Sequence, residues 1–322
     1  MMQSYVRSRL VMATAAMLCW AMLGCAVPAR AADTLTFLTG DTNGVYFPLG
    51  IAIGKILSDG IPDRTTRVQV SKGSIENLRL LAQGKGELGF ALADSLQAAV
   101  DGDADAGFKD RLTNLRVIGA LYPNYIQIVA TKKSGITRLS DLKGKSLSIG
   151  EPQSGTDLNA KVLLDAAGLD NGEIKSLPQL SFADAVAKMI DGKLDATLQS
   201  SGLGVASLNR LSNIDDIVVV PIPADLVEKI GPPFVPAIIP ANTYRGQNSD
   251  VPTATIMNYL VTRADVPEPL AYRMTQLVYD QLAELAKAHP AADEIKLERA
   301  ATSPVPLHPG AIQYFRDKKI IK

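Results

Sequence analysis

Cysteine and histidine are nearly absent from the 322-residue sequence. Its two cysteines, Cys19 and Cys25, both lie within the first 31 residues, so a chain that loses this segment has no disulfide and no thiolate metal site. The two histidines, His289 and His308, do not form a nucleophile–base arrangement, and the HExxH, GxSxG and P-loop motifs are missing. We therefore expect no catalytic residues, no metal site and no cofactor, and a chain that is not an enzyme.

Neither sign of charge dominates, because the sequence contains 33 basic and 33 acidic residues. Loss of the first 31 residues removes Arg7, Arg9 and Arg30 and leaves 30 basic residues in a chain of 291. No basic run stands out in that chain, so nucleic acid is not an expected partner. No later apolar stretch is long and clean enough to span a bilayer. The remaining chain is expected to be soluble and is long enough for two domains of ordinary size.

Residues 1–31 have the pattern of a secretory signal peptide. Arg7 and Arg9 precede an apolar run over residues 10–27, and Ala29-Arg30-Ala31 fits a small-x-small cleavage site. This pattern predicts a mature protein outside the cytoplasm. A membrane span is one alternative, since the run approaches the minimum length of about 17 residues. A lipid anchor at Cys25 is another.

The rest of the sequence alternates between strand and helix patterns. The order β-α-β-α-β over residues 35–100 implies right-handed crossovers and a mainly parallel sheet. A β-rich stretch over residues 115–131 is interrupted near Pro123-Asn124, which indicates a bend between domains. The alternation then restarts at residue 146. One long amphipathic helix is predicted over Pro267–Ala288.

A second long strand, over residues 253–262, returns across the same boundary. We therefore predict an α/β protein in which the second domain is inserted into the first: domain I is residues 33–126 plus 256–322, and domain II is residues 127–255. Two chain crossings make a hinge, and a cleft between hinged α/β domains is a common site for a small ligand.

Two strand-to-helix turns of domain I are suited to ligand binding, because such turns lie at the carboxyl ends of strands. In the turn over residues 39–50, Gly44 allows close approach to a ligand, and a helix start offers free N–H groups to a carboxylate. A loop that merely turns, with Tyr46 packed in the core, is the alternative. In the turn over residues 71–77, Ser74 is placed to cap a helix and Asn77 can turn its amide toward the same end; an ordinary cap explains the serine equally well.

Domain II contributes a third such turn, over residues 153–157, where Ser154 and Asp157 fit a capping box. Two helix starts that face each other across a cleft would hold the two ends of a diacid. Asp94 either reaches the cleft or caps its own helix, and the turn over residues 200–204 is interpreted as a further pocket turn. The predicted ligand-binding residues are Thr39, Gly44, Val45, Tyr46, Ser74, Asn77, Asp94, Ser154, Gly155, Thr156 and Ser201.

Seven segments, in this order, resemble the TAXI-type solute receptors of tripartite ATP-independent periplasmic (TRAP) transporters. They are residues 39–50, 73–81, 141–145, 154–156, 191–196, 239–244 and 307–311. The resemblance implies a type II periplasmic-binding-protein fold, a periplasmic location and delivery of the ligand to a TRAP membrane permease. It implies a small organic anion as ligand, either a dicarboxylate or an amino acid such as glutamate or 2-oxoglutarate. It also implies pocket roles for Tyr46, Ser74, Asn77, Ser154, Gly155 and Thr156.

Two positions near the expected pocket depart from this family pattern. Leu92-Ala93-Asp94 stands where relatives commonly have Gln-Ser-Asp, and residues 199–203 lack the expected aromatic character. These departures leave the ligand open. Two other functions also remain open: a periplasmic sensor that presents the same ligand to a signalling partner, and a periplasmic enzyme acting on a small acid.

Overall fold

The structure, a computed structural model, describes residues 33–169 and 172–322. The predicted signal peptide, with the alternative lipid anchor at Cys25, lies outside these residues. Within the described ranges, no helix combines the length and the apolar character needed to cross a bilayer.

The strands join in a nine-stranded sheet. They are β1 (Asp33–Leu38), β2 (Arg64–Gln69), β3 (Leu88–Leu92), β4 (Leu115–Thr131), β5 (Leu147–Ser148), β6 (Ala196–Ser201), β7 (Ile217–Val220), β8 (Val235–Ile239) and β9 (Val251–Arg263). The main order is β2-β1-β3-β9-β4-β6-β5, with β7 paired to β4 and β8 paired to β9.

The parallel arrangement predicted over residues 35–100 is confirmed for β1 and β3, but the sheet as a whole is mixed. β1 pairs with β3 and β5 pairs with β6 in parallel. However, β9 is antiparallel to β3, β4 and β8, and β4 is antiparallel to β6 and β7. The cause is the pair of long strands, β4 and β9, which lie at the centre of the sheet and run against their neighbours.

The central strand β4 joins the two parts of the sheet. Its first part pairs with β9, whereas Tyr125–Ala130 pairs with β6. The register with β9 shifts between Ala120 and Pro123, at the predicted interruption. Proline has no N–H for the ladder, so an irregularity there is expected, and the strand continues past it. The predicted domain boundaries fall on β4 and β9. The division into two hinged domains stays a prediction, and residues Thr34–Lys322 form one compact unit.

Helices cover the faces of the sheet. They are α1 (Tyr46–Gly60), α2 (Ser74–Ala82), α3 (Ala93–Asp101), α4 (Gly155–Ala166), α5 (Phe182–Ile190), α6 (Ala206–Ile214), α7 (Ala224–Ile230), α8 (Glu268–Tyr279), α9 (Leu282–Ala288) and α10 (Pro309–Asp317). The apolar face predicted for α1 is buried, with Leu49, Ile53 and Leu57 each 0% exposed. α6, α7 and β8 were not predicted, and β8 lacks a strand signal because it contains Pro236 and is mostly solvent-exposed.

The single helix predicted over Pro267–Ala288 is wrong, because the chain breaks between α8 and α9. Gln281 leaves helical geometry with φ −123° and ψ 32°. At the break, the Asp280 carboxylate accepts a hydrogen bond from the Tyr314 hydroxyl at 2.9 Å and pairs with Lys318 at 2.7 Å. These contacts with α10 favour the break, which the apolar periodicity alone does not reveal.

Three apolar clusters fix the sheet to its helices. The first contains Leu78 of α2, Leu96 of α3 and Leu163 of α4. The second joins α1 to α8 and α10. The third packs α5 and α6 against Val129 of β4. Together they include buried residues of α1, α2, α4 and α5.

Candidate functional site

A cavity of about 500 Å³, counting its open mouth, lies where these turns meet. Because this volume includes solvent space at the mouth, the enclosed part of the cavity is much smaller. Both predicted domains line it: residues 40, 41, 44–46, 72–74, 92, 122 and 124 from domain I, and residues 151, 154–156, 180–182, 200 and 201 from domain II.

Most of the predicted ligand-binding residues come together at this cavity. Those that line it are Gly44, Val45, Tyr46, Ser74, Ser154, Gly155, Thr156 and Ser201. Their contact with a ligand stays a prediction.

Thr39, Asn77 and Asp94 are not among the lining residues. The Thr39 hydroxyl donates to the Gln69 carbonyl at 2.9 Å, and the Asn77 side-chain amide donates to the carbonyls of Thr39 and Phe90 at 2.7 and 2.9 Å. Thr39 and Asn77 therefore join the loop after β1 to the end of β2, to β3 and to α2.

Four helices begin at the cavity wall, since the first residues of α1, α2, α4 and α5 all line it: Tyr46, Ser74, Gly155 and Phe182. The first N–H groups of a helix have no partner within the helix, and that end carries partial positive charge. Such ends bind carboxylates and other anions without a basic side chain.

The helix caps differ in part from the prediction. Ser154 caps α4, accepting a hydrogen bond from the Asp157 N–H at 3.0 Å. The reciprocal half of the predicted capping box is replaced, because the Asp157 carboxylate accepts from Lys161 and Gln179 instead. Ser74 is not an N-cap: Gly73 holds that position, with a φ of 113° that favours glycine.

The starts of α2 and α4 touch across the cavity. A Cβ added to Gly155 would lie 2.6 Å from Leu92 Cδ1 and 2.7 Å from Ser74 Oγ, so only glycine fits there without movement. The Glu76 N–H donates to the Gln153 carbonyl at 3.1 Å beside this contact. The expected apposition of helix starts from the two predicted domains is therefore present.

Asp41 supplies a second contact between the predicted domains. Its carboxylate accepts from the Phe182 N–H at 2.7 Å, at the first turn of α5, and from the Asn43 N–H at 2.8 Å. The positive end of α5 is thus already occupied by a carboxylate of the protein. Asp41 was not predicted as a site residue, although it stands in the glycine-containing loop that the sequence singled out.

A chain of side-chain hydrogen bonds runs behind the cavity. It starts at the Tyr46 hydroxyl, which donates to Asn258 Oδ1 at 2.6 Å, and the Asn258 amide donates to Asn124 Oδ1 at 3.2 Å. Asn124 then donates to the Ser200 hydroxyl at 2.7 Å. This chain connects α1 to β9, β4 and β6.

The same chain ends at Asp94. The Ser200 hydroxyl donates to Asn159 Oδ1 at 2.6 Å, and the Asn159 amide donates to the Asp94 carboxylate at 2.5 Å. Asp94 also accepts from the Ser95 N–H, within the first turn of α3, whose N-cap is Leu92. Burial raises the pKa of Asp94 to about 7, against the lowering effect of its donors Ser95 and Asn159.

Charge on the cavity wall is confined to Asp41, Lys72 and Glu151. Lys72 is exposed and the two acids are partly exposed, so the charges lie toward the mouth. Desolvation and the nearby Asp41 carboxylate raise the pKa of Glu151, while Lys72 opposes that shift. Over the described ranges, no group of three or more His, Cys, Asp or Glu side chains is arranged to hold a metal ion.

Comparison with known proteins gives one family match. The sequence profile of the NMT1-like family matches residues 37–318, which is most of the chain.

Several solved structures have the same fold. The periplasmic binding protein BugD has a TM-score of 0.58 at 10% identity, over 89% of this chain and 94% of its own. MatC from Rhodopseudomonas palustris, with bound malate, has a TM-score of 0.56 at 13% identity, over 91% and 97%. A putative L-cystine ABC transporter from Listeria monocytogenes has a TM-score of 0.51 at 14% identity, over 82% and 98%. The predicted α/β fold of a periplasmic binding protein is confirmed.

Proposed function

Because the chain belongs to the NMT1-like family, we propose that it is a periplasmic solute-binding protein that captures a small organic carboxylate in this cavity. The contact between the starts of α2 and α4 carries the proposal. Ser74 and Gly155, the first residues of these helices, both line the cavity, and first-turn N–H groups bind an anion without a counter-charge.

Ligand capture proceeds by closure of the cavity around the bound acid. The wall contains residues of both predicted domains, so a ligand at the start of α4 also touches α2. A ligand that contacts both sides only in the closed arrangement shifts the population toward it. The Asp41–Phe182 hydrogen bond belongs to the same closed arrangement and adds to its stability.

The partner of the closed receptor is a TRAP membrane permease. The seven segments that resemble TAXI-type receptors support this assignment, and they extend over nearly the whole mature chain. They also support a dicarboxylate or an amino acid as the ligand class. A sensor role would use the same pocket, and uptake of labelled ligand by permease-containing vesicles separates the two functions: uptake that requires added receptor supports transport.

Binding without turnover is part of the proposal. The cavity wall contains no histidine or cysteine and has no nucleophile–base pair among its lining residues. Acid that is released from the protein by denaturation should therefore have the mass of the acid that was added.

A thermal-shift screen of organic acids and amino acids tests the proposal. A ligand that binds only the folded state raises the melting temperature, by an amount that grows with its concentration over Kd. Acids are expected to raise it while their neutral amides do not. The variant Thr156→Val keeps the side-chain shape and removes a hydroxyl from the wall, so it should weaken the response without unfolding the protein. A panel in which no acid raises the melting temperature would contradict the proposed function.

A further inference from the structure

The buried part of the cavity wall carries no charge. Tyr122, Asn124, Ser200 and Ser201 are each at most 8% exposed and line the cavity together with Leu92. Lys72 is the one basic residue among the lining residues, and it stands at the exposed mouth. A ligand group that reaches the buried part meets hydroxyl, amide and apolar surfaces only.

The wall has one place at which two helix starts can bind the same carboxylate. The starts of α2 and α4 meet at a single place, and Asp41 already occupies the start of α5. The start of α1 offers fewer donors, because its third residue, Pro48, has no N–H. A second carboxylate would lie either in the uncharged part, where desolvation is unfavourable, or at the mouth, where the acids Asp41 and Glu151 outnumber the single basic residue Lys72.

Tyr122 provides an independent sign of what the buried part binds. The residue is 0% exposed, and its hydroxyl has no hydrogen-bond partner. The other buried side-chain atoms without a partner in the described residues belong to Thr66, Ser148, Thr197 and Gln199, and none of these residues lines the cavity.

An unpaired hydroxyl at a cavity wall is satisfied when a ligand oxygen binds beside it. Burial raises the pKa of Tyr122, so the group stays a neutral hydroxyl that can donate.

We propose that the ligand is a monocarboxylic acid whose uncharged body carries a hydroxyl or carbonyl oxygen bound by the Tyr122 hydroxyl. The carboxylate lies at the starts of α2 and α4, and apolar side chains such as Val45, Leu92 and Phe182 contact the carbon chain. This inference rests on the proposed function and narrows its small organic carboxylate to one type. It departs from the dicarboxylate or amino acid that the family resemblance favours.

Three five-carbon acids test the inference by calorimetric titration: pentanoate, 4-oxopentanoate and pentanedioate. They share the first carboxylate and differ at the two carbons farthest from it: 4-oxopentanoate has a carbonyl at C4, and pentanedioate has a second carboxylate at C5. We expect 4-oxopentanoate to bind about tenfold more tightly than pentanoate, as one hydrogen bond to a buried hydroxyl allows, and pentanedioate to bind most weakly.

The variant Tyr122→Phe should abolish the preference for 4-oxopentanoate over pentanoate. Its melting temperature without ligand should equal or exceed that of the parent, because the removed hydroxyl has no partner. Tyr125→Phe is the matched control, since that hydroxyl donates to Glu294 at 3.2 Å and Tyr125 is not a lining residue. It should leave the preference unchanged.

Pentanedioate binding as tightly as 4-oxopentanoate would overturn the inference, as would a preference that survives in Tyr122→Phe. In both cases the proposed function would stand, because a carboxylate still binds. If neither these acids nor any acid of the thermal-shift panel binds, the inference and the proposed function fail together.

Discussion

One methyl group added at Gly155 should weaken ligand binding and leave the stability of the folded protein unchanged. In Gly155→Ala the new Cβ would lie 2.6 Å from Leu92 Cδ1, 2.7 Å from Ser74 Oγ and 3.2 Å from Ser74 Cβ, where ordinary contact begins at 3.4 Å. All three atoms belong to predicted domain I, on the opposite side of the cavity. The clash therefore opposes closure and leaves the interior of domain II unchanged.

The size of the effect follows from this overlap. Insertion of a methyl group into a tight contact typically costs about 1–3 kcal/mol, which corresponds to a loss of about 5- to 150-fold in ligand affinity. Folding itself should not suffer, because Gly155 is the first residue of α4 and alanine is favoured over glycine in helices by up to about 1 kcal/mol.

Calorimetric titration and ligand-free thermal unfolding measure the two effects separately. Ala224→Gly, at the exposed first residue of α7, is the matched control for the difference between glycine and alanine at a helix start. Unchanged affinity in Gly155→Ala would refute closure at this contact. A large loss of ligand-free stability would instead place the contact in a permanent core.

Three further predictions concern Asp94, Asp41 and Tyr46. Burial raises the pKa of Asp94 from 3.8 to about 7, so between these pH values the folded state holds a proton that the unfolded state has lost. The free energy of unfolding should therefore fall by about 1.4 kcal/mol per pH unit as pH rises through this window, and it should level off above it. Urea titrations at several pH values measure this dependence, and Asp94→Asn should remove it. Asp41→Ala removes the acceptor at the start of α5, so it should lower the free energy of unfolding in urea by about 0.5–2 kcal/mol. It should also weaken ligand binding. The exposed control Asp216→Ala should change neither quantity. Tyr46→Phe keeps the stacking on Phe90, with ring centroids 4.6 Å apart, but leaves Asn258 Oδ1 without its donor. It should therefore lower the free energy of unfolding by about 1 kcal/mol or more, whereas the surface control Tyr272→Phe should change it little.

Each of these predictions has an outcome that contradicts it. A free energy of unfolding that rises between pH 4 and 7 in the parent but not in Asp94→Asn would mean that Asp94 is ionised in the folded state. Equal ligand affinity in Asp41→Ala and the parent would remove the Asp41 contact from the closed arrangement. A stability loss in Tyr272→Phe as large as that in Tyr46→Phe would show that the buried hydrogen bonds stabilise the protein no more than an exposed one does.

Local sequence signals predicted the helix starts that build the site. Glycine and hydroxyl residues directly after strands mark such turns, and the turns before α1, α2 and α4 all reach the cavity. The sheet was predicted less well. Strand direction depends on how β4 and β9 cross the molecule, and a hydrophobic pattern carries no information about direction. The break at Asp280 depends on Tyr314 of α10 and on Lys318 directly after it, which lie outside the window that defines helical periodicity.

The residues that the sequence missed act through long-range contacts. Asn258, which was not predicted, accepts a hydrogen bond from Tyr46 across 212 positions, and Asp41 accepts one from Phe182 across 141. Tyr122 lies in an apolar strand, where a tyrosine is expected to pack in the core. It is set apart because it lines the cavity and its hydroxyl has no hydrogen-bond partner. Asn77 had the opposite outcome: its polar character indicated a pocket residue, and it instead bonds the backbone of neighbouring loops.

The most direct test of the carboxylate site is an amide chemical-shift titration of isotope-labelled protein with an acid that raises its melting temperature. Binding at the joined starts of α2 and α4 predicts that the N–H signals of Ser74, Gly155 and Thr156 shift together and saturate at one common Kd. Saturable shifts confined to other residues, with these three signals unmoved, would contradict the account.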